Sequence, residues 1–318
     1  MELHRTAIAA MGCLFECFVV GDDPDEARAI GAEALETVAR LDAQLSHYRE
    51  DSDISRLNRW AAQDWVRVEP DLFGLLRRCA ELTALTSGAF DVAAGALLNA
   101  WDFHHGTGRV ASECEIQAAL LKTGMRHVAF DAERHLVHYT VPGLTLNLGA
   151  IGKGYALDRA VETLRFYGVC NGVIHGGRST IVALGKPPSG DAWEFVIRDP
   201  RDRTAPIETV RLRDAALSTS GIYDQFVEVD GVRYGHLLDP RTGRPPQGPL
   251  SVSVIAPTAT DADALSTAFF VMGAGRAAEF CAERPDIAAV ILEEQGPDFT
   301  AATEAPLPPL RVTRIGLP

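Results

Sequence analysis

The chain has 318 residues, is 47% hydrophobic and carries a formal net charge of −13 with a pI near 5.1. That is enough apolar content for a large core, and the acidic balance excludes the basic face that nucleic-acid backbones require. No low-complexity linker or internal repeat divides the sequence, so a single unit over residues 1–318, built of two intergrown halves, is expected.

The first expected strand is Cys13–Val20. Ala10-Met11-Gly12-Cys13 faintly resembles a lipoprotein cleavage site, but only about eight residues follow the Met-Glu-Leu-His-Arg start, short of the basic start and apolar stretch of a leader. No apolar run approaches the ~20 residues of a membrane span. The six cysteines form no Cys-x-x-Cys pair and no zinc spacing with His. The expectation is a soluble cytoplasmic protein with free thiols and no transmembrane segment.

Asp23-Pro24-Asp25-Glu26 starts a helix, with Ile30, Ala34, Val38, Leu41 and Leu45 on one face. A polar stretch follows at 47–53. Leu72, Leu75, Leu76, Cys79, Leu82 and Leu85 mark a second helix, stopped by Gly88. Residues 127–148 predict short strands around a turn at Pro142-Gly143. A helix is expected over 152–167, ending at Gly168. Strands are predicted at 172–175, 180–184 and 193–198, then at 225–229 and 232–238 around an Asp230-Gly231 hairpin turn, and at 250–256. Two helices, 261–272 and 274–283, precede a strand at 287–292. The mixture predicts an α+β fold with mixed, largely antiparallel sheets and packed helices.

Four segments carry candidate chemistry. In Asn147-Leu148-Gly149-Ala150-Ile151-Gly152-Lys153-Gly154 a strand meets a glycine-studded turn and then a helix. Such a turn lets backbone approach a phosphate, and Lys153 can neutralise it; an ordinary strand–turn–helix with a surface lysine has the same pattern. Asp263 and Thr267 are four apart and share a helix face, an oxygen pair suited to Mg2+. Helix capping is the plain alternative, but Thr260 or Asp261 can serve there. His236 and Asp239 end a strand before Pro240 and Gly243. A histidine there can act as general base with Asp239 orienting it, or Asp239 can simply hold a turn. Leu217-Ser218-Thr219-Ser220-Gly221 places hydroxyls at an expected strand end, where they can meet phosphate oxygens or serve as turn residues.

In this order the segments resemble the FAD:protein FMN transferases, the ApbE-type flavin transferases, from Met11-Gly12 to about Gly273. His-x-x-Asp-Pro-x-Thr-Gly and Ala-Asp-Ala-x-x-Thr are the most specific matches. Residues 48–58, Ser87-Gly88-Ala89-Phe90-Asp91 and Trp101-Asp102-Phe103 support them. The resemblance implies an ApbE-like fold and a magnesium site held by Asp263, Thr267 and the carbonyl of Ala150. It implies flavin-adenine contacts at Met11, Tyr48, Ala89, Phe90, Asp91, Asn147, Lys153 and Leu237, with His236 near the reacting phosphate. The implied substrates are FAD and an acceptor protein with a Ser or Thr hydroxyl. Hydrolysis of FAD to FMN and AMP, and non-catalytic flavin carriage, stay open as alternatives. Three positions depart from the family: Asn147 stands for its usual Asp, Cys13 for its Thr, and Arg178 for a small polar or acidic residue.

Overall fold

The computed structural model describes residues 2–102, 109–222, 226–229, 232–235, 237–294 and 309–317. A strand that the sequence pattern does not announce comes first. β1 (Glu2–Ala10) pairs with β2 (Cys13–Gly21) through a two-residue turn at Met11 and Gly12, both at positive φ. Such primed turns match the twist of the strands they join. Asp23 caps α1 (Pro24–Leu45) by accepting from the N–H groups of Asp25 and Glu26. The polar stretch then contains α2 (Asp53–Trp60), which buries Ile54 and Leu57, too few apolar positions to read as a period. β3 (Val66–Arg67) leads to α3 (Pro70–Leu85), which buries the expected leucine face. α4 (Gly95–Trp101) and α5 (Glu113–Leu120) flank residues 103–108, so Phe103 lies outside the described residues.

β4 (Val128–Asp131) and β5 (Leu136–Tyr139) are joined by a turn at 132–135, not at Pro142-Gly143 as the sequence suggests. Asp131 holds that turn by accepting from the N–H groups of Glu133 and Arg134, local side-chain capture that competes well with Pro-Gly. α6 (Gly152–Phe166) ends near Gly168, at positive φ. β6 (Gly172–Gly176), β7 (Thr180–Leu184) and β8 (Trp193–Asp199) fall where the pattern puts them. β9 (Asp202–Leu212) is an addition, and the Leu217–Gly221 segment forms the C-terminal end of β10 (Ala215–Gly221), the strand end that the pattern suggests. β11 (Phe226–Val229) pairs antiparallel with β12 (Val232–Gly235), while the Asp230-Gly231 turn lies outside the described residues. After β13 (Pro249–Ala256), α7 (Ala259–Ala282) is broken at Gly273, φ 74° and ψ 172°, into the two expected helices. Its cap is Thr258, which accepts from the N–H of Asp261, rather than Thr260 or Asp261. β14 (Ala288–Glu294) and β15 (Leu310–Ile315) follow.

Eight strands form one sheet in the order β1-β2-β6-β7-β10-β13-β14-β15, every neighbour antiparallel. α1, α6 and α7 cover one face and bury the main core there. The β8–β9 ribbon covers part of the other face, packing Ile197, Val210 and Leu212 on Ala183, Leu217, Val290 and Leu292. Strand alternation sorts the two sides: Ala216, Ala289 and Ile291 join the main core, while Leu217, Val290 and Leu292 face the ribbon. By the same period Ser218 and Ser220 share the face of Ala216, toward α7. This antiparallel, helix-covered arrangement is the expected α+β class.

Candidate active site

The site is built where α6 crosses the start of α7. Gly154 permits that crossing: a Cβ there would lie 2.1 Å from the carbonyl oxygen of Ala259 and 2.8 Å from Cβ of Asp263. The close approach lets the N–H of Gly154 donate to Oδ2 of Asp263 at 3.0 Å. Oδ1 accepts from the hydroxyl of Ser218 at 3.1 Å and, at the limit of reach, from Thr180 at 3.5 Å. Asp263 is only 5% exposed, and among the described residues it makes no ion pair. Neutral donors alone leave a buried charge poorly compensated. Thr267, one helical turn on, meets the hydroxyl of Ser220 at 3.2 Å.

The diverted N–H of Gly154 has a second effect. In a regular helix it would close the first turn on the carbonyl of Ala150. Ile151 and Gly152 donate to Leu148, and Tyr155 to Ile151, which leaves the Ala150 carbonyl with no hydrogen-bond donor among the described residues. A carboxylate with no counter-charge among the described residues, a neutral hydroxyl one helical turn on and an open carbonyl at the start of α6 are all hard oxygen donors. These residues therefore fit Mg2+, which takes few protein ligands and keeps water or phosphate as the rest. No cluster of His, Cys, Asp and Glu of the transition-metal type occurs among the described residues.

Lys153 precedes Gly154 and is half-buried, with no hydrogen bond or ion pair among the described residues. Cys13 lies close enough to feel it. Burial pushes the Cys13 thiol up, while Lys153 opposes the shift and Asp42 and Asp263 reinforce it. Met11, in the β1–β2 turn, is packed at the edge of the main core. Gly177 and Arg178, both at positive φ, close the β6–β7 hairpin beside Cys13, with Arg178 exposed.

Asn147 anchors the glycine turn. Its Oδ1 accepts from the N–H of Gly149 at 2.8 Å, and its Nδ2 lies 3.4 Å from Nε2 of His47. The His47 ring sits 3.8 Å, centroid to centroid, from that of Tyr48, which is 68% exposed. The N–H of Asn147 donates to the carbonyl of Val92, which brings the 89–93 segment alongside. There Ala89 and Phe90 are 1% exposed and Phe90 belongs to the main core, so their side chains are closed to any ligand. Burial pushes the Asp91 carboxyl up, and the N–H groups of Ala93 and Met125 pull it back. Leu237 is half-buried against the main core.

His236 lies outside the described residues. Asp239 is buried, and both its oxygens accept from the Arg241 guanidinium at 2.8 Å. Its carbonyl accepts from Thr242 and Gly243, so Asp239 builds the turn that follows His236. No hydrogen bond or ion pair joins it to Asp263 or Thr267 among the described residues.

Sequence reasoning missed several supporting groups. Thr180 is buried at an inward position of an otherwise apolar strand, a signal available in the β7 alternation. Ser218 and Ser220, at the end of β10, direct their hydroxyls to side chains of α7. Asp158 accepts from the N–H groups of Ala259 and Thr260 and from the Thr260 hydroxyl, tying α6 to the first turn of α7. Burial pushes its carboxyl up and those donors oppose it. A cavity of about 350 Å³ between α3, α6 and α7 is lined by Arg78, Tyr155, Asp158 and Asp261 and contains none of the sequence-predicted site residues.

The ApbE family profile matches residues 11–291. The FAD:protein FMN transferase of Salmonella typhimurium is 31% identical over 297 residues, covering 91% of this chain and 84% of its own. That of Treponema pallidum is 34% identical over 283 residues, covering 84% and 78%. Among solved structures, the ApbE protein of Thermotoga maritima matches with a TM-score of 0.83 at 34% identity, over 91% of this chain and 94% of that one. The flavinyl transferase ApbE of Pseudomonas stutzeri, in its apo form, matches with 0.83 at 31% identity, over 99% and 95%. Sequence and fold agree across nearly the whole length, and the chain belongs to the ApbE family.

Proposed function

We propose that this chain is an FAD:protein FMN transferase, which moves FMN from FAD to a Ser or Thr hydroxyl of an acceptor protein and releases AMP in a magnesium-dependent reaction. The observation that carries the reading is Asp263, a buried carboxylate that has neutral donors and, among the described residues, no ion pair, and that takes the Gly154 N–H away from the Ala150 carbonyl. The names of the relatives support the same donor and the same transferred group.

Asp263, Thr267 and the Ala150 carbonyl would hold Mg2+, which when bound neutralises charge on the pyrophosphate. Lys153 adds a cation at the start of α6. Met11, Tyr48, Asn147, Leu237, Asp91 and the backbone at Ala89 and Phe90 bind and orient the flavin and adenine portions. The acceptor oxygen bonds to the FMN-side phosphorus, the bond from that phosphorus to the bridging oxygen breaks, and AMP departs with the bridge. His236 takes the hydroxyl proton, with Asp239 fixing the adjoining turn rather than sharing the proton. The whole chain works as one domain of two intergrown halves, supported by a main core with members from Ala10 to Ile315. No helix among the described residues is long and apolar enough to cross a membrane. Six free cysteines suit a reducing compartment, so the cytoplasm is the proposed location.

The test incubates the chain with FAD, Mg2+ and candidate acceptor proteins. AMP is expected in step with a mass gain of one FMN on an acceptor Ser or Thr. FMN found only free in solution replaces transfer by hydrolysis. FAD bound tightly without magnesium and without AMP makes the chain a flavin carrier.

A further inference from the structure

The hydroxyls around Thr267 form a chain whose direction is forced. Ser266 lies 2.9 Å from the backbone carbonyl of Asp263, and a carbonyl only accepts, so Ser266 donates there. Its single proton is then used, and its contact with Ser220 at 2.8 Å requires Ser220 to donate to it. The proton of Ser220 is used in turn. Its contact with Thr267 at 3.2 Å therefore requires Thr267 to donate to Ser220. The order Thr267→Ser220→Ser266→Asp263 carbonyl points the Thr267 proton into the protein and turns its lone pairs outward. A neutral hydroxyl can bind a cation only in that orientation.

We infer that Ser220 is a positioning residue, which orients the Thr267 hydroxyl for a divalent cation. Strand and helix spacing make this possible. Two residues along β10 rise about 6.8 Å and four residues along α7 about 6 Å, so Ser218 meets Asp263 while Ser220 meets Thr267. Ser266 is fully buried and Ser220 partly so, which shields the chain from competing water. The inference rests on the proposed reading of Thr267 and Asp263 as cation ligands.

The experiment titrates the whole chain with Mn2+ alone and follows free Mn2+ by EPR. Asp263→Asn should abolish uptake. Ser220→Ala should weaken it about tenfold, the scale at which outer-shell partners act, and Ser220→Thr should restore it. Thr267→Val combined with Ser220→Ala should bind no more weakly than Thr267→Val alone, because Ser220 acts through Thr267. If Ser220→Ala does not fold, Ser266→Ala carries the same expected weakening. Uptake by Ser220→Ala equal to wild type, with Asp263→Asn inactive, overturns the positioning role and leaves the cation site standing. Additive losses in the double variant overturn it too. Unchanged uptake by Asp263→Asn, or none by wild type, overturns the cation reading and the inference with it.

Discussion

Asp263 is a buried carboxyl group whose partners among the described residues are hydroxyl and amide donors. Asp263→Asn keeps the size and removes the charge, so AMP release should fall to near background at every magnesium concentration. Thr267→Val loses a neutral ligand and should be impaired partly, with rescue by excess magnesium. AMP release against magnesium concentration checks both, and superimposable curves for wild type and Asp263→Asn would remove the metal assignment. His236→Ala should lower turnover by about 10²–10⁴-fold with FAD binding retained, the usual worth of a general base; single-turnover rates beside an FAD titration separate the two. The Asp/Thr pair and Lys153 were legible because their logic is local: four residues along a helix, or one step past a glycine. The partners of Asp263 were not, because Thr180 and Ser218 reach it only through the register of two other strands.

At the scale of elements, the α6–α7 junction sets the site. Gly154→Ala forces a Cβ against the Ala259 carbonyl and Cβ of Asp263. The helices must separate, at a cost of about 1–3 kcal/mol, and the carboxylate moves with them. A lowered melting temperature together with weakened magnesium dependence is expected; wild-type values for both would show that the junction has slack. Asp158→Ala removes donors' partners at the start of α7 and should cost about 1–2 kcal/mol, the range for a lost cap, read by denaturant unfolding. The long helices were legible from their apolar faces, as were most inner strands. β1 and α2 were not. β1 has small and polar residues on both faces, and α2 buries two side chains in eight residues. The turn at 132–135 was missed because Asp131 captures its own backbone where Pro142-Gly143 looked the stronger signal.

For the whole molecule, the thiols report on packing and on pH. Burial pushes Cys17 up to about 12 and Cys281 up to about 11, from an ordinary 9.0, and Cys79 higher still. Groups whose pKa is raised by folding contribute stability that is complete below the ordinary value and lost as pH climbs through the folded one. Unfolding free energy should therefore decline above about pH 9, by at most about 1.4 kcal/mol per pH unit for each thiol. Denaturation at pH 8, 9 and 10 tests this, with Cys17→Ala expected to flatten the decline. Cys114 and Cys170 are exposed and should react fast with a thiol reagent, while Cys17, Cys79 and Cys281 react only on unfolding. The strand order has a temporal consequence. β2 finds its second neighbour in β6, where Phe15 pairs with Gly176. During synthesis at ~5–20 residues per second, the first hairpin waits on the order of 10–30 s for that neighbour to leave the ribosome. Until then one edge of β2 is a row of open hydrogen-bonding groups beside an unfilled apolar face, the kind of surface that chaperones hold and that neighbouring nascent chains can capture.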